Sequence, residues 1–439
     1  MLKTIARAAA LVALLLVVIQ IGGLLFYNID LAGQLWNSVV EIGREPAYAP
    51  ISAPEDPGDE AEPYSYTEQR MGYSQLPGEP AQALYQQISQ AAPQIGAEPD
   101  ENGLYPVSEV VYENGRIDEA QIHMVVSAFR NENPEMFWLA NRYRYGYSGD
   151  TTTLCLYSYI SAEECSTMTE ILNSVRSEIF SEMPQGLSEL DRELYLFEAL
   201  AARCSYDAET ASGGENWKAY TQYGALVEGK AVCEGYSRAM QSLLSYAGME
   251  SALVSGTSKQ MLHMWNLVKI DEEWYHLDAT WNDGDSLVNY KYFNVTDAVI
   301  AQDHTMFRPY EDIDLETADT EDLQNANLKL PRCSSSTANY FISKAVHIQD
   351  LKGRTNPDLV AAIITAAGER KESVSVYIDE ALSFDEAMDG LFSQYPFLVT
   401  YCMREASRKT GITLDSSRSV FVSDPVSRGI TLKLLYEES

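Results

Sequence analysis

The segment "HMWNLVKIDEEWYHLDATWND", His263 to Asp283, constrains the fold more than any other. Two runs rich in aromatic and aliphatic residues, Trp265 to Ile270 and Trp274 to Asp278, flank Asp271-Glu272 in the pattern of a β-hairpin, although Asp-Glu is a poorer tight turn than Asp-Gly. Because side chains alternate along a strand, loop length decides which residues share a face. A two-residue loop sets Ile270 opposite Glu273 and His263 opposite Thr280, with Asp278 diagonal to His263 on the same face. A four-residue loop pairs His263 with Asp278 directly, and a three-residue loop puts them on opposite faces. Two of the three registers therefore bring imidazole and carboxylate together.

Upstream stands "GKAVCEGYS", Gly229 to Ser237. After its cysteine, Tyr236, Met240, Leu243, Leu244 and Ala247 recur at helical spacing and Gly248 suits a C-cap, so a helix is predicted to begin at Cys233. A structural cysteine belongs inside an apolar run, whereas this one stands where loop becomes helix. A helix N-terminus presents unpaired N–H groups and a partial positive charge, which favour a thiolate and can hold a tetrahedral oxyanion. A thiol needs a base, and His263 oriented by Asp278 supplies one: a ring nitrogen turned to the carboxylate leaves the other free for the thiol proton. His276, on the alternation of Trp274 and Asp278, is read as a structural hydrogen-bonding residue, Trp265 and Trp281 as walls of the cleft or core, and His304 as a loop cap.

Lysine and arginine number 31 against 64 aspartates and glutamates, a formal charge of −33 that repels phosphate backbones and argues against nucleic acid as partner. The six cysteines, at 155, 165, 204, 233, 333 and 402, contain no C-x-x-C pair; with Cys233 reactive, five remain, so a complete disulfide framework within one chain is excluded. The five histidines form no H-E-x-x-H, and neither a metal nor a cofactor is expected.

At the N-terminus, Ala8 to Tyr27 is apolar apart from Gln20 and follows Lys3 and Arg7. At about 1.5 Å per residue such a run spans about 30 Å, the thickness of the hydrocarbon core. The basic flank predicts a cytoplasmic N-terminus and a chain otherwise outside the membrane. The following stretch is rich in Pro, Glu and Asp, poor in aliphatics, and reads as an extended stalk.

The blocks "GKAVCEGYS", "HMWN" and "WYHLDATW" resemble the Cys, His and Asp blocks of the transglutaminase-like superfamily as found in bacterial exported proteins. The resemblance runs from about Ser188 to Tyr310 and includes "DRELYLFEALAARCSYD" as the lead-in helix, where relatives often carry a His-Asp pair in place of Phe197 and Glu198. It implies an α+β fold with a papain-like core, the Cys helix packed on an antiparallel sheet. It makes Cys233 the nucleophile, His263 the general base and acid, and Asp278 its orienting partner. A second oxyanion donor then comes from upstream of the cysteine, with Gln222 and Tyr223 as candidates.

The expected organisation is a cytoplasmic tail (1–7), a transmembrane anchor (8–27), the stalk (28–80), a mainly helical lobe (81–187), the catalytic core (188–310), an acidic linker (311–330) and a small α/β module (331–439). The expected activity is extracytoplasmic amide acyl transfer or hydrolysis through a thioester on Cys233. Its substrate would be a protein, a peptide or a cell-wall peptide. The alternative is a non-catalytic, membrane-anchored binding or scaffolding protein using the same cleft. Nothing in the sequence fixes an oligomeric state.

Overall fold

The computed structural model describes residues 71–282, 287–313, 323 and 326–436. The expected cytoplasmic tail, the anchor at 8–27, most of the stalk and most of the acidic linker lie outside the described residues. Among the described residues no helix is long and apolar enough to cross a membrane.

Residues 71–80, expected as stalk, are instead packed. They form α1 (Met71–Gln75) and the start of α2 (Gly78–Ala91). Tyr73 and Leu76 are buried, the Tyr73 N–H donates to the Glu132 carboxylate at 3.1 Å, and the Gln75 amide donates to the Lys329 carbonyl at 2.9 Å. The Pro- and acid-rich composition around "MGYSQL" masks two apolar anchors and a polar docking partner.

The lobe that follows holds more strand than its sequence suggests. After β1 (Tyr105–Pro106) and β2 (Val110–Tyr112) come α3 (Glu119–Glu132) and the hairpin of β3 (Leu139–Ser148) and β4 (Thr151–Ser158). Strand β4 pairs antiparallel with all three others. A capping box at Ser161 and Glu164 opens α4 (Ala162–Glu182).

The lead-in helix α5 (Glu189–Arg203) then precedes α6 (Cys233–Tyr246). A five-stranded antiparallel sheet follows: β5 (Ser251–Ser258), β6 (Met261–Ile270), β7 (Glu273–Leu277), β8 (Phe293–Val295) and β9 (His304–Met306), in spatial order β8-β7-β6-β5-β9. Val268, Ile270 and Leu277 of this sheet share one hydrophobic core with Tyr236, Met240 and Leu243 of α6, and with Leu84, Val125, Phe129 and Leu156 of the preceding lobe. Val254, Trp265 and Leu267 belong to a second cluster with Tyr292, Val295 and Ile300. The two lobes thus share a core, and the sheet is covered on both faces.

Between β6 and β7, Ile270 lies opposite Glu273, which is the two-residue register. Asp271 and Glu272 take φ of 48° and 69°, the left-handed pair that a type I′ turn requires and that Asn-Gly supplies with least strain.

The C-terminal module has its own core. It comprises β10 (Val346–Ile348), α7 (Pro357–Gly368), β11 (Ser373–Ile378), α8 (Leu398–Thr410), β12 (Phe421–Asp424) and β13 (Gly429–Lys433). Its sheet runs β10-β11-β13-β12, parallel at the first pair and antiparallel at the other two.

The strained turn yields a prediction. Glu272→Gly should raise stability by about 0.5–1 kcal/mol, since a positive φ costs glycine almost nothing. The lost ion pair to Lys269 involves an almost fully exposed carboxylate, a type of pair that contributes little. A urea midpoint below that of the parent would count against this account of the turn.

Candidate active site

Helix α6 starts at Cys233 because Val232 adopts an extended N-cap conformation, φ −89° and ψ 178°. An N-cap is usually Ser, Thr, Asp or Asn, whose oxygen satisfies an N–H of the first turn. Valine offers none. Among the described residues nothing accepts a hydrogen bond from the N–H of Cys233, Glu234 or Gly235, and the first helical bond is Tyr236 N–H to Val232 O at 3.1 Å. The helix therefore opens on three donors beside its thiol.

Gly235 sets how close this end can come to the chain before it. A Cβ there would stand 2.3 Å from the Ala219 carbonyl oxygen, which also receives the Val232 N–H at 3.0 Å. On the sheet side, the Ser237 hydroxyl lies 2.8 Å from the Met264 carbonyl, and Asn266 Nδ2 donates to the Ser237 carbonyl at 3.0 Å. These bonds pin the first turns of α6 to β6, the strand that carries His263.

His263 Nε2 lies 2.7 Å from Asp278 Oδ2. The Cys233 thiol lies close enough to the His263 ring to act on its charge, and with Nε2 taken the nitrogen available to it is Nδ1. Asp278 is fully buried. Its Oδ1 accepts the Thr280 N–H at 2.9 Å, and its Oδ2 also meets His304 Nε2 at 3.0 Å. His304 Nδ1 is held in turn by Asp303 Oδ1 at 2.7 Å. The structure thus brings Cys233, His263 and Asp278 together and adds His304, which the sequence reading treats as a loop cap. Gly256 lets the His304 strand approach: a Cβ at that position would meet the Thr305 carbonyl at 2.2 Å and the Trp265 ring at 2.8 Å.

Burial alone would push the His263 imidazolium down, but the charge and hydrogen bond of Asp278 and the nearby Cys233 thiol outweigh it and raise its pKa to about 10. Burial would likewise raise Asp278, yet His263 and His304 together hold its carboxyl well below the usual range. His276 behaves differently. Its Nδ1 accepts from Trp265 Nε1 at 3.0 Å and its Nε2 faces Asp297 Oδ1 at 2.9 Å, while burial, only partly opposed by Asp297, lowers its pKa. It props up the sheet, and Trp265, fully buried, lies in the core; the side chain of Trp281 is outside the description.

The two upstream oxyanion candidates have other contacts. Gln222 is buried with Nε2 donating to the Pro134 carbonyl at 2.6 Å, a bond whose loss would leave that group unpaired at a cost of about 1–3 kcal/mol. Tyr223 stacks on Phe137 with centroids 5.5 Å apart. Tyr206, which the sequence reading passes over, stands half-exposed, immediately before the Asp207 that caps a short helix. Its phenol is pushed well up by burial and then by the charge of Cys233, Tyr220, Asp207 and Asp278.

Among the described residues, two groups bring potential metal-ligating atoms within 4.8 Å of one another, His263 with Asp278 and His304, and His276 with Asp297 and Cys333. In each, the imidazole and carboxylate atoms are already joined by the hydrogen bonds described above. All six cysteines are free thiols, and only Cys233 is not buried.

Residues 181–279 match the model of the transglutaminase-like superfamily. Mouse kyphoscoliosis peptidase is 25% identical over 159 residues, which are 31% of this chain and 23% of that protein, so the chain spans about a quarter of that relative's length. Among solved structures, a TGase shares 14% identity with a TM-score of 0.24 over 39% of this chain and 50% of its own. A candidate cysteine protease from Cytophaga hutchinsonii shares 9% with a TM-score of 0.21 over 42% of this chain and 68% of its own. The segment bearing Cys233, His263 and Asp278 is thus transglutaminase-like in sequence, and the class is α+β.

The buried pair makes stability depend on pH in a defined direction. His263 titrates near 10 folded but near 6.5 unfolded, so its contribution is complete below about pH 6.5 and is lost as pH climbs toward 10. Asp278, held low, contributes fully above about pH 3.9 and loses its share as pH falls through the folded value. The urea midpoint should therefore drop between pH 6.5 and 9.5 in the parent, and drop less in His263→Gln. Equal alkaline losses in the two proteins would contradict the pairing.

Proposed function

We propose that this chain is a thiol-dependent enzyme that hydrolyses an amide, or transfers its acyl group to an amine, through a thioester on Cys233. One observation carries the reading: a thiol at an uncapped helix N-terminus lies beside an imidazole, one nitrogen of which is fixed by a buried carboxylate. The transglutaminase-like match over 181–279 supports it, and the partial similarity to a peptidase inclines it toward hydrolysis.

The arrangement supports the following steps. His263 Nδ1 takes the thiol proton, a transfer favoured by the raised imidazole pKa. The sulfur attacks the amide carbon, and the oxygen becomes an oxyanion facing the free N–H groups of the first turn of α6. Collapse breaks the C–N bond, and His263 returns the proton to the leaving amine. Water, or an amine, then attacks the thioester with His263 again as base, releasing the product and restoring the thiol. Asp278 stays ionised throughout. It fixes the imidazole tautomer and offsets the imidazolium charge, while His304 shares the same oxygen and positions Asp278.

Cys233→Ala should abolish turnover and His263→Ala should lose nearly as much, since such groups act as a unit. Asp278→Asn should lower the rate by up to about 10⁴-fold, the size seen when a catalytic imidazole is held in the wrong tautomer. His276→Ala should keep most activity if it folds. Mass spectrometry of peptides and cell-wall peptides reads the product: addition of water for hydrolysis, loss of ammonia with gain of an amine for transfer. If iodoacetamide labels Cys233 no faster than the buried cysteines, the protein is a binding module and not an enzyme.

Val232→Thr provides a separate measurement. Threonine has the shape of valine but brings an N-cap hydroxyl, so it should stabilise the chain by about 0.5–1 kcal/mol while occupying donors meant for the oxyanion. Turnover should fall about tenfold or more with unchanged iodoacetamide labelling. Full turnover in a stabilised Val232→Thr protein would place the oxyanion elsewhere.

A further inference from the structure

A small, half-open recess adjoins the start of α6. Glu234 and Arg238 of that helix line one side, Arg130 and Asn141 another, and Trp217 and Tyr220 a third. Trp217 stacks on Tyr159 with centroids 4.7 Å apart, which makes that wall flat. Glu234 follows the nucleophile directly. Tyr220 and Cys233 both act electrostatically on the Tyr206 phenol, so this wall of the recess and the thiol both lie near that residue.

The charges in this recess do not balance. Arg238 is spoken for: its Nε donates to Glu234 Oε1 at 2.9 Å and its Nη1 to the Arg130 carbonyl at 2.8 Å. Arg130 has only an amide oxygen, Asn141 Oδ1, as side-chain partner, and no carboxylate of the described residues lies within 4.0 Å of it. Two guanidiniums thus face one carboxylate, in a chain whose formal charge is −33. A partly buried cation without a carboxylate in ion-pair contact is costly, and a guanidinium offers a flat fork of donors that fits a carboxylate. Burial and the neighbouring Arg238 act against the charge on Arg130, Glu234 and the phenols of Tyr159 and Tyr143 act more weakly in its favour, and an incoming anion would add to them.

We propose that this recess is a specificity site that binds a carboxylate of the substrate, an acidic side chain or free carboxyl near the scissile amide, through Arg130. The assignment rests on the thiol-dependent reading of the cleft, and it names the substrate class as acidic peptides. The Trp217 and Tyr159 wall takes the aliphatic stem, and Arg238, locked by Glu234, keeps the Arg130 backbone in place.

The first test needs no chemistry at Cys233. With the full-length chain carrying Cys233→Ala, N-acetyl-glutamate amide at millimolar concentration should raise the melting temperature and quench tryptophan fluorescence, and the uncharged N-acetyl-glutamine amide should do so about tenfold more weakly. Adding Arg130→Met should abolish the difference, whereas Arg130→Lys should keep part of it. The second test uses the parent protein and a pair of peptidyl chloromethyl ketones bearing Glu or Gln beside the reactive carbon. The Glu reagent should label Cys233 about tenfold faster, and this preference should vanish in Arg130→Met while labelling by iodoacetamide stays the same. Equal binding of the Glu and Gln compounds by the Cys233→Ala chain, or a preference that survives Arg130→Met, overturns the proposal. Carboxylate binding without any reactive Cys233 would instead uphold the recess and remove the enzymatic reading. Should Arg130→Met fail to fold, the Glu-over-Gln comparison in the parent and Cys233→Ala chains decides alone.

Discussion

The site depends on a single buried carboxylate. Asp278, wholly shielded from water, carries its charge between the imidazoles of His263 and His304, and a charge in that position persists only if it is paired. Three structural arrangements serve the pairing. The tight β6–β7 turn brings Asp278 to the face of His263, the missing side chain of Gly256 lets β9 carry His304 inward, and Asp303 holds the far side of that second ring. Replacing either imidazole leaves the carboxylate with half its compensation, so positions far apart in the chain share one electrostatic constraint.

The same constraint explains why the lobes are built together. The nucleophile and base proposed for this site sit on a helix and a strand that must keep close registry, and the Ser237 and Asn266 bonds hold α6 against the sheet to that end. That packing is secured from behind by the shared core with Leu84, Phe129 and Leu156. The 71–80 segment belongs to this support, as Tyr73 and Leu76 close the core that α2 and α3 begin. The C-terminal module keeps a separate core and contributes no residue to the cleft described here.

What the sequence reveals of the site is what lies on local pattern. A helical repeat starting at Cys233, a glycine after Ala247 and alternation around Asp271-Glu272 each follow from spacing within a few residues, and each has its counterpart in α6, in Gly248 at φ 72° and in the two-residue turn. The partnership of His304 with Asp278 spans 26 residues and a strand crossover, for which single-sequence periodicity has no signal. The bond of Gln222 to the buried Pro134 carbonyl, 88 residues away in the chain, likewise has no signal in local pattern. The module's helix α8 did have a signal: Leu398, Val399, Cys402, Met403 and Ala406 recur at helical spacing and are buried. The sheet at 105–158 had a weaker one, since β3 is largely half-exposed and reads as polar.

The distribution of thiols has a consequence for the fate of the protein under oxidants. Cys233 is the one cysteine that is not enclosed, and the five others sit inside hydrophobic or hydrogen-bonded surroundings. A peroxide reaching the chain therefore meets Cys233 first, and the sulfenic acid it forms finds no exposed thiol of its own chain to condense with. Repair then depends on a small-molecule thiol entering the cleft before a second oxidation makes the damage permanent. The burial that reserves reactivity for a single sulfur thus also leaves that sulfur without an internal rescue.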